Sequence, residues 1–222
     1  MKLLNLNLKD FIEIIISLII ILIIRYTFIE PFRIPSESMK PTLLIGDFIF
    51  VNKFIYGINI PIINKKIHIN TPEKGDIIVF KHDNKHYIKR LIGTPKDIVI
   101  YKNKKIYINN ICIKKKYIND KIYINNLNNI HETINIKEYL NPKKEYHIKN
   151  INNQNTKNDF LKIIIPLKSY FVLGDNRDNS EDSRSWGFVT KNKIKGKAFL
   201  IWFSININKI DIRWNRLFTQ IK

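Results

Sequence analysis

The run from Phe11 to Ile29, "FIEIIISLIIILIIRYTFI", constrains this chain more than any other stretch. At about 1.5 Å per residue its helix would be roughly 28 Å long, close to the thickness of a bilayer core. A helix this apolar on every side could be buried in a water-soluble fold only inside a large surrounding core. Glu13 and Arg25 lie near its ends, where charged side chains can reach the interface. A cleavable leader needs small residues after its apolar region, yet here follow Arg25, Tyr26, Thr27, Phe28, Ile29, Glu30 and Pro31. The pattern predicts a retained anchor over residues 1–30. Lys2 and Lys9 precede the span while Arg25 and Arg33 follow it, so flanking charge does not orient it.

The remainder of a 222-residue chain can bury one core, or one core with an inserted subdomain. Its apolar runs are short and β-branched: "DFIFVNKF", "GDIIVFKH", "HYIKRLIG", "DIVIYKNKKIYINN", "KSYFVLGDNRDNS" and "IKGKAFLIWFSI". Few segments beyond the anchor show a 3.6-residue period, so the expected body is mainly antiparallel β. It is expected to divide into a catalytic part, 31–100 with 163–222, and an inserted β subdomain at 101–162. The insertion is rich in Asn and Lys and contains no glycine. The formal charge of +19 suits an anionic partner, but the lysines alternate with Ile and Tyr. In strands that alternation is a wet face opposite a dry one, which argues against a nucleic-acid stripe. The single cysteine, Cys112, permits no internal disulfide and is expected to be buried and inert.

Three polar segments carry possible chemistry. In "RIPSESMKPTL", Ser36 and Ser38 share one side of an extended chain, Glu37 faces away, and Pro35 and Pro41 stiffen the backbone. A plain serine-rich turn is the simpler reading of that segment alone. In "HYIKRLIG", Lys89 and Arg90 would face opposite sides of a strand. Burial disfavours a charged amine, so a desolvated Lys89 could act as a base, although a surface lysine is the simpler reading. The third is "LGDNRDNSEDSRSWGF". An EF-hand register from Asp175 puts Arg177 at a ligand position and Ser180 where glycine is needed; one from Asp178 puts Ser183 at the glycine position. A self-bonded loop that orients other groups suits its composition better, and no metal is expected.

Together the boxes "IPSESMKPTLLIGDFIFV", "KGDIIVFKHDNKHYIKRLIG" and "GDNRDNSEDSRSWGFV", with "EPFR" and "AFLIWFS", resemble type I signal peptidase, the bacterial leader peptidase. The resemblance covers most of the chain outside 101–162, in the family's order and behind an anchor. It implies a Ser/Lys endopeptidase that needs no cofactor and removes signal peptides from exported preproteins at Ala-x-Ala type sites. Ser38 would be the nucleophile and Lys89 its base. The Ser38 backbone N–H and the Ser36 hydroxyl would hold the oxyanion, and Ser180 would aim Lys89. Asp182 and Arg184 would brace the loop, and Asp175 would pair with Arg90. Phe32, Ile34, Pro35, Met39, Leu43, Ile49, Val79, Tyr87 and Ile88 match positions that line small apolar pockets.

The resemblance also implies an all-β catalytic body on the outer face of the bacterial cytoplasmic membrane. The N-terminus would lie inside, the lipid bilayer would be a partner, and protein export machinery could be another. Relatives with two N-terminal spans are common, and this sequence has one. Rivals are another Ser/Lys peptidase of related fold, a mechanism based on His82 or His86, and a catalytically inactive, membrane-tethered basic β module binding lipid or nucleic acid.

Overall fold

The computed structural model describes every residue except 1–6, 61–64, 68, 127–128, 142–143, 152–159 and 208. Residues 1–6 of the expected anchor, and the stretches at 127–128, 142–143 and 152–159 of the expected insertion, lie outside the described residues. Helix α1 runs from Leu8 to Thr27. In its first half Phe11, Ile12, Ile14, Ile16, Leu18 and Ile19 are all exposed. Among the described residues no helix is long and apolar enough to cross a membrane. The apolar run and the helix are offset: α1 includes Lys9 and Asp10, while Phe28 and Ile29 lie beyond its end. Ile29 is instead drawn into strand β1 (Ile29–Arg33), which pairs antiparallel with β2 (Asp47–Asn52). Pro31 is tolerated there because β1 is an edge strand, where a missing N–H breaks no ladder.

A small hairpin, β3 (Ile58–Ile60) with β4 (Lys65–Ile67), precedes the long hairpin β5 (Ile77–His82) and β6 (Lys85–Gly93). Then come β7 (Ile98–Lys102), β8 (Lys105–Ile108) and β9 (Ile111–Cys112). The long strands β10 (Lys114–Asn126), β11 (Asn129–Asn141) and β12 (Lys144–Ile151) follow. The chain returns through β13 (Phe160–Ile164), β14 (Ser169–Leu173), the single turn α2 (Ser183–Trp186) and β15 (Val189–Thr190). It closes with β16 (Ile194–Asn206), β17 (Asp211–Ile212) and β18 (Thr219–Gln220).

The main sheet has the order β1-β2-β16-β5-β6-β14-β15, with β17 and β18 also on β16. Its paired strands are antiparallel, as expected of the body. Alternation sets its two faces: Ile77 and Val79 of β5 join Ile34, Met39, Leu43 and Ile49 on one side, while Ile78 and Phe80 join Tyr56, Leu91 and Tyr170 on the other. Each such side chain, fully buried, contributes about 1.5–3 kcal/mol.

Strands β10, β11 and β12 form a three-stranded sheet, and β13, β7, β8 and β9 a four-stranded one. Their buried residues, including Tyr101, Ile136, Tyr146 and Ile148, share one apolar cluster with Ile92 of β6 and Phe171 and Leu173 of β14. This core is continuous with the main sheet. Cys112 corrects the sequence reading, because it is exposed. It ends β9 at the margin of its sheet, and the next residue, Ile113, takes the inward position instead.

Candidate active site

The serine segment is a bend followed by a turn, not an extended chain. Ser36 Oγ and Ser38 Oγ nonetheless lie 3.3 Å apart, within hydrogen-bond reach. Buried Met39 and Leu43 pin this turn to the core, and the Leu43 N–H donates to the Met39 carbonyl at 2.9 Å. Glu37 turns outward and takes the Lys40 amine at 2.5 Å.

β6 supplies the cation. Its alternation sends Lys89 and Arg90 to opposite partners, both buried. Lys89 is only 2% exposed, and its Nζ donates to Ser180 Oγ at 2.9 Å. Burial pushes the Lys89 amine down to about 8, and the nearby Asp182 carboxylate only partly opposes this. Arg90 instead forks onto Asp175, Nε to Oδ1 at 2.8 Å and Nη2 to Oδ2 at 2.7 Å. Asp175 also takes the Thr42 hydroxyl at 2.5 Å, so this pair ties β6 to the end of the serine turn.

The loop from Gly174 to Arg184 connects the two. β14 pairs with β6 through Leu173 and Arg90, which delivers Gly174 to the neighbourhood of Lys89. A β-carbon on Gly174 would collide with Ser180 Oγ and with the Ser38 carbonyl oxygen, so only glycine permits this approach. Asp182 accepts from the Gly174 N–H at 3.0 Å and from Arg184 Nε at 2.8 Å, and it caps α2. Burial works against the Asp182 charge, but Arg184 and the Gly174 amide hold its carboxyl below the usual range. Asn176 closes the loop onto the serine turn: its N–H donates to the Ser38 carbonyl at 3.0 Å, and its side-chain amide to the Glu37 carbonyl at 3.2 Å.

The expected apolar residues separate. Ile34, Met39, Leu43, Ile49 and Val79 are buried in one cluster, with Phe32 and Ile88 partly buried against it. Tyr87 is elsewhere, on the other face of β6 beside Phe80 and Trp186. Pro35 is exposed. Of the histidines, His82 lies tilted against Trp186 and His86 packs edge-on to Phe32.

Sequence reasoning assigned no role to Thr42, Gly174, Asn176, Arg177 or Glu138. The first four sit in or beside the boxes already quoted, where their types alone do not distinguish them. Glu138 did carry a signal. In "INIKEYL" it falls two residues after Ile136 and two before Leu140, at an inward position of β11. It is fully buried and receives Arg177 Nη1 at 2.7 Å and the Tyr146 hydroxyl at 2.9 Å. Burial alone would raise the Glu138 carboxyl, but Arg177 and Lys115 overcome that and lower it.

A paired hydroxyl, a desolvated amine and a buried loop that joins them are the equipment of a serine hydrolase. The family model for signal peptidase, peptidase S26, matches residues 8–203, and the chain belongs to that family. Signal peptidase I of Buchnera aphidicola subsp. Schizaphis graminum is 42% identical over 222 residues, covering 83% of this chain and 71% of the relative. Signal peptidase I of Pseudomonas aeruginosa is 40% identical over 202 residues, covering 84% and 69%. Signal peptidase I P of Bacillus subtilis subsp. natto is 32% identical over 204 residues, covering 90% and 91%.

Proposed function

We propose that the chain removes N-terminal signal peptides from exported preproteins, with Ser38 as nucleophile and Lys89 as general base. The observation that carries this reading is the buried Lys89 amine, brought to about 8 and bonded to Ser180 Oγ at 2.9 Å. A lysine of that acidity is about one-tenth neutral at pH 7, against far less for an exposed one. Neutral Lys89 takes the Ser38 proton as Oγ bonds to the scissile carbonyl carbon. The C–N bond then breaks, and the departing amine takes the proton from Lys89, leaving an acyl-enzyme. Water, losing its proton to Lys89, attacks the ester carbonyl. The bond from Ser38 Oγ to the acyl carbon breaks, Oγ takes the proton back from Lys89, and the product leaves as a carboxylic acid that ionises in solvent. The Ser38 N–H and the Ser36 hydroxyl stabilise the oxyanion, a contribution whose loss typically costs on the order of 10²–10³ in rate. The chemistry calls for no metal or cofactor.

Cleavage after small residues, at Ala-x-Ala type sites, is the specificity we infer. Phe32 and Ile88, partly buried at the edge of the cluster of Ile34, Met39, Leu43, Ile49 and Val79, support shallow apolar pockets that reject large side chains. Pro35 would border them and Tyr87 would act from the far face of β6. Membrane attachment is inferred from α1, whose exposed Phe11, Ile12, Ile16 and Ile19 need an apolar surrounding. The single-pass arrangement would hold the body on the outer face of the cytoplasmic membrane, beside the export machinery. The inactive basic module is not favoured, given the family membership.

The test is incubation of the purified protein with a preprotein bearing an Ala-x-Ala site, with the product's new N-terminus sequenced. Wild type should cut once after the final small residue, and Ser38→Ala and Lys89→Ala should each lose at least about 10³-fold in rate. Near-normal cleavage by Lys89→Ala, with none by His86→Ala, would overturn the base assignment.

A further inference from the structure

Glu138 lies on β11, far in sequence from both the serine turn and the lysine strand. Its carboxylate is 0% exposed and faces three partners: both terminal nitrogens of Arg177, the Tyr146 hydroxyl, and the Lys115 amine at 3.1 Å. Arg177 is also buried, and its Nε donates to the Gly174 carbonyl at 3.2 Å. Next to β11, β12 grips the same loop by its backbone. The Lys149 N–H donates to the Asp175 carbonyl at 2.9 Å, and the Arg177 N–H to the Lys149 carbonyl at 3.0 Å. Between those two anchored residues stands Asn176, whose two donors hold the carbonyls of Ser38 and Glu37.

A continuous set of directional contacts therefore runs from Glu138 through Arg177 to Gly174 and Asn176, and from there to the turn that carries Ser38. Replacing a buried ion pair by apolar packing of equal volume is often neutral or stabilising, because burying the charges costs about as much as their attraction returns. What the pair supplies is direction. A guanidinium forked onto a carboxylate has one geometry, and Arg177 passes that geometry to the loop backbone.

We propose that Glu138 is a positioning residue for the peptidase reaction, acting through Arg177 and Asn176 to hold Ser38 in register with Lys89. This rests on the reading of Ser38 as nucleophile and Lys89 as base. It gives the stretch 101–162 a part in the chemistry without contact to the substrate: β11 and β12 are the back wall of the catalytic loop. Misplacing a nucleophile by about 1 Å can cost on the order of 100-fold in rate while leaving substrate binding intact.

The experiment compares steady-state cleavage of a preprotein by full-length wild type, Glu138→Gln, and the double variant Glu138→Gln/Arg177→Met, with thermal melts of each. In Glu138→Gln the charges of both Arg177 and Lys115 lose their counterion; the double variant leaves only Lys115, which keeps its bond to the Lys104 carbonyl, and is the one expected to fold better. The proposal expects kcat to fall at least tenfold in both variants, with KM within about threefold of wild type. A role in stability alone expects the double variant to recover kcat together with its melting temperature, and kcat within twofold of wild type in that variant would overturn the proposal. If Glu138→Gln does not fold, the double variant decides alone. Ser38→Ala run alongside separates the two readings. Residual full activity there would overturn the nucleophile assignment. An inactive Ser38→Ala with fully active Glu138 variants would overturn only the inference drawn here.

Discussion

Lys89 Nζ donates to Ser180 Oγ at 2.9 Å from a site only 2% exposed. Burial lowers the amine to about 8. If neutral Lys89 is the active form, kcat/KM should rise tenfold per pH unit below about pH 8 and level off above it. A pH–rate profile between pH 6 and 10 checks this; a plateau reached by pH 6.5 would point to a histidine instead.

The same shift has a consequence for stability. Its folded value, about 8, lies below the ordinary 10.5, so between those values the folded protein binds fewer protons than the unfolded chain. Stability therefore rises with pH across that window, and the penalty is fully present below about pH 8. Lys89→Met should be inactive yet more stable at pH 7, by up to about 3 kcal/mol at 1.36 kcal/mol per unit. The gain should vanish above about pH 10.5. Denaturant melts at pH 7 and pH 10.5 measure the difference.

Ser180→Ala removes the acceptor of the Lys89 amine, together with the hydroxyl's bond to Asp182. A hydrogen bond of this kind contributes about 1.5–3 kcal/mol when one partner is charged. The expected loss is about ten- to a hundredfold in kcat with little change in KM, and Ser180→Thr should recover part of it. Single-turnover kinetics distinguishes this loss from slowed product release.

Gly174→Ala should be among the most damaging single-methyl changes in the chain. Its β-carbon would meet Ser180 Oγ and the Ser38 carbonyl, and neither can retreat without dragging the site apart. Overpacking of this kind costs about 1–3 kcal/mol, and activity should fall further than stability does. Parallel melting and cleavage measurements test that order.

Asp175→Asn strips the charge from a carboxylate that holds Arg90 by two bonds and Thr42 by a third. Leaving buried Arg90 without its counterion should cost about 3–5 kcal/mol. Chemical denaturation should show the loss as a lower midpoint with an unchanged slope.

Much of this arrangement is legible in the sequence. The β-rich runs "GDIIVFKH" and "HYIKRLIG" read as strands, and Lys89 and Arg90 part to opposite sides because successive strand residues must. The serines of the first box share a side, although through a turn and not through the extended geometry expected. Cys112 departs from the buried position expected of it because nothing local says that β9 sits at a sheet margin. Tyr87 was grouped with Ile88, its neighbour in sequence, and lies across the sheet from it.

The sequence by itself determined the properties that act over a few residues. These are the strand alternation, the turn residues, an apolar stretch that forms α1, and three boxes of chemically suitable side chains. Tertiary structure alone decided which of those groups meet. The serine turn and the lysine strand converge only because β14 pairs with β6 and delivers Gly174, against which both the Ser38 carbonyl and the Lys89-bound Ser180 hydroxyl pack. Lysine acidity likewise depends on burial, which is a property of the assembled core. Glu138 makes the same point from the far side: one of two carboxylates in β11, it acquires a role only once folding encloses it with Arg177. Periodicity is carried by the backbone and can be read locally, whereas desolvation and convergence need the whole chain in place.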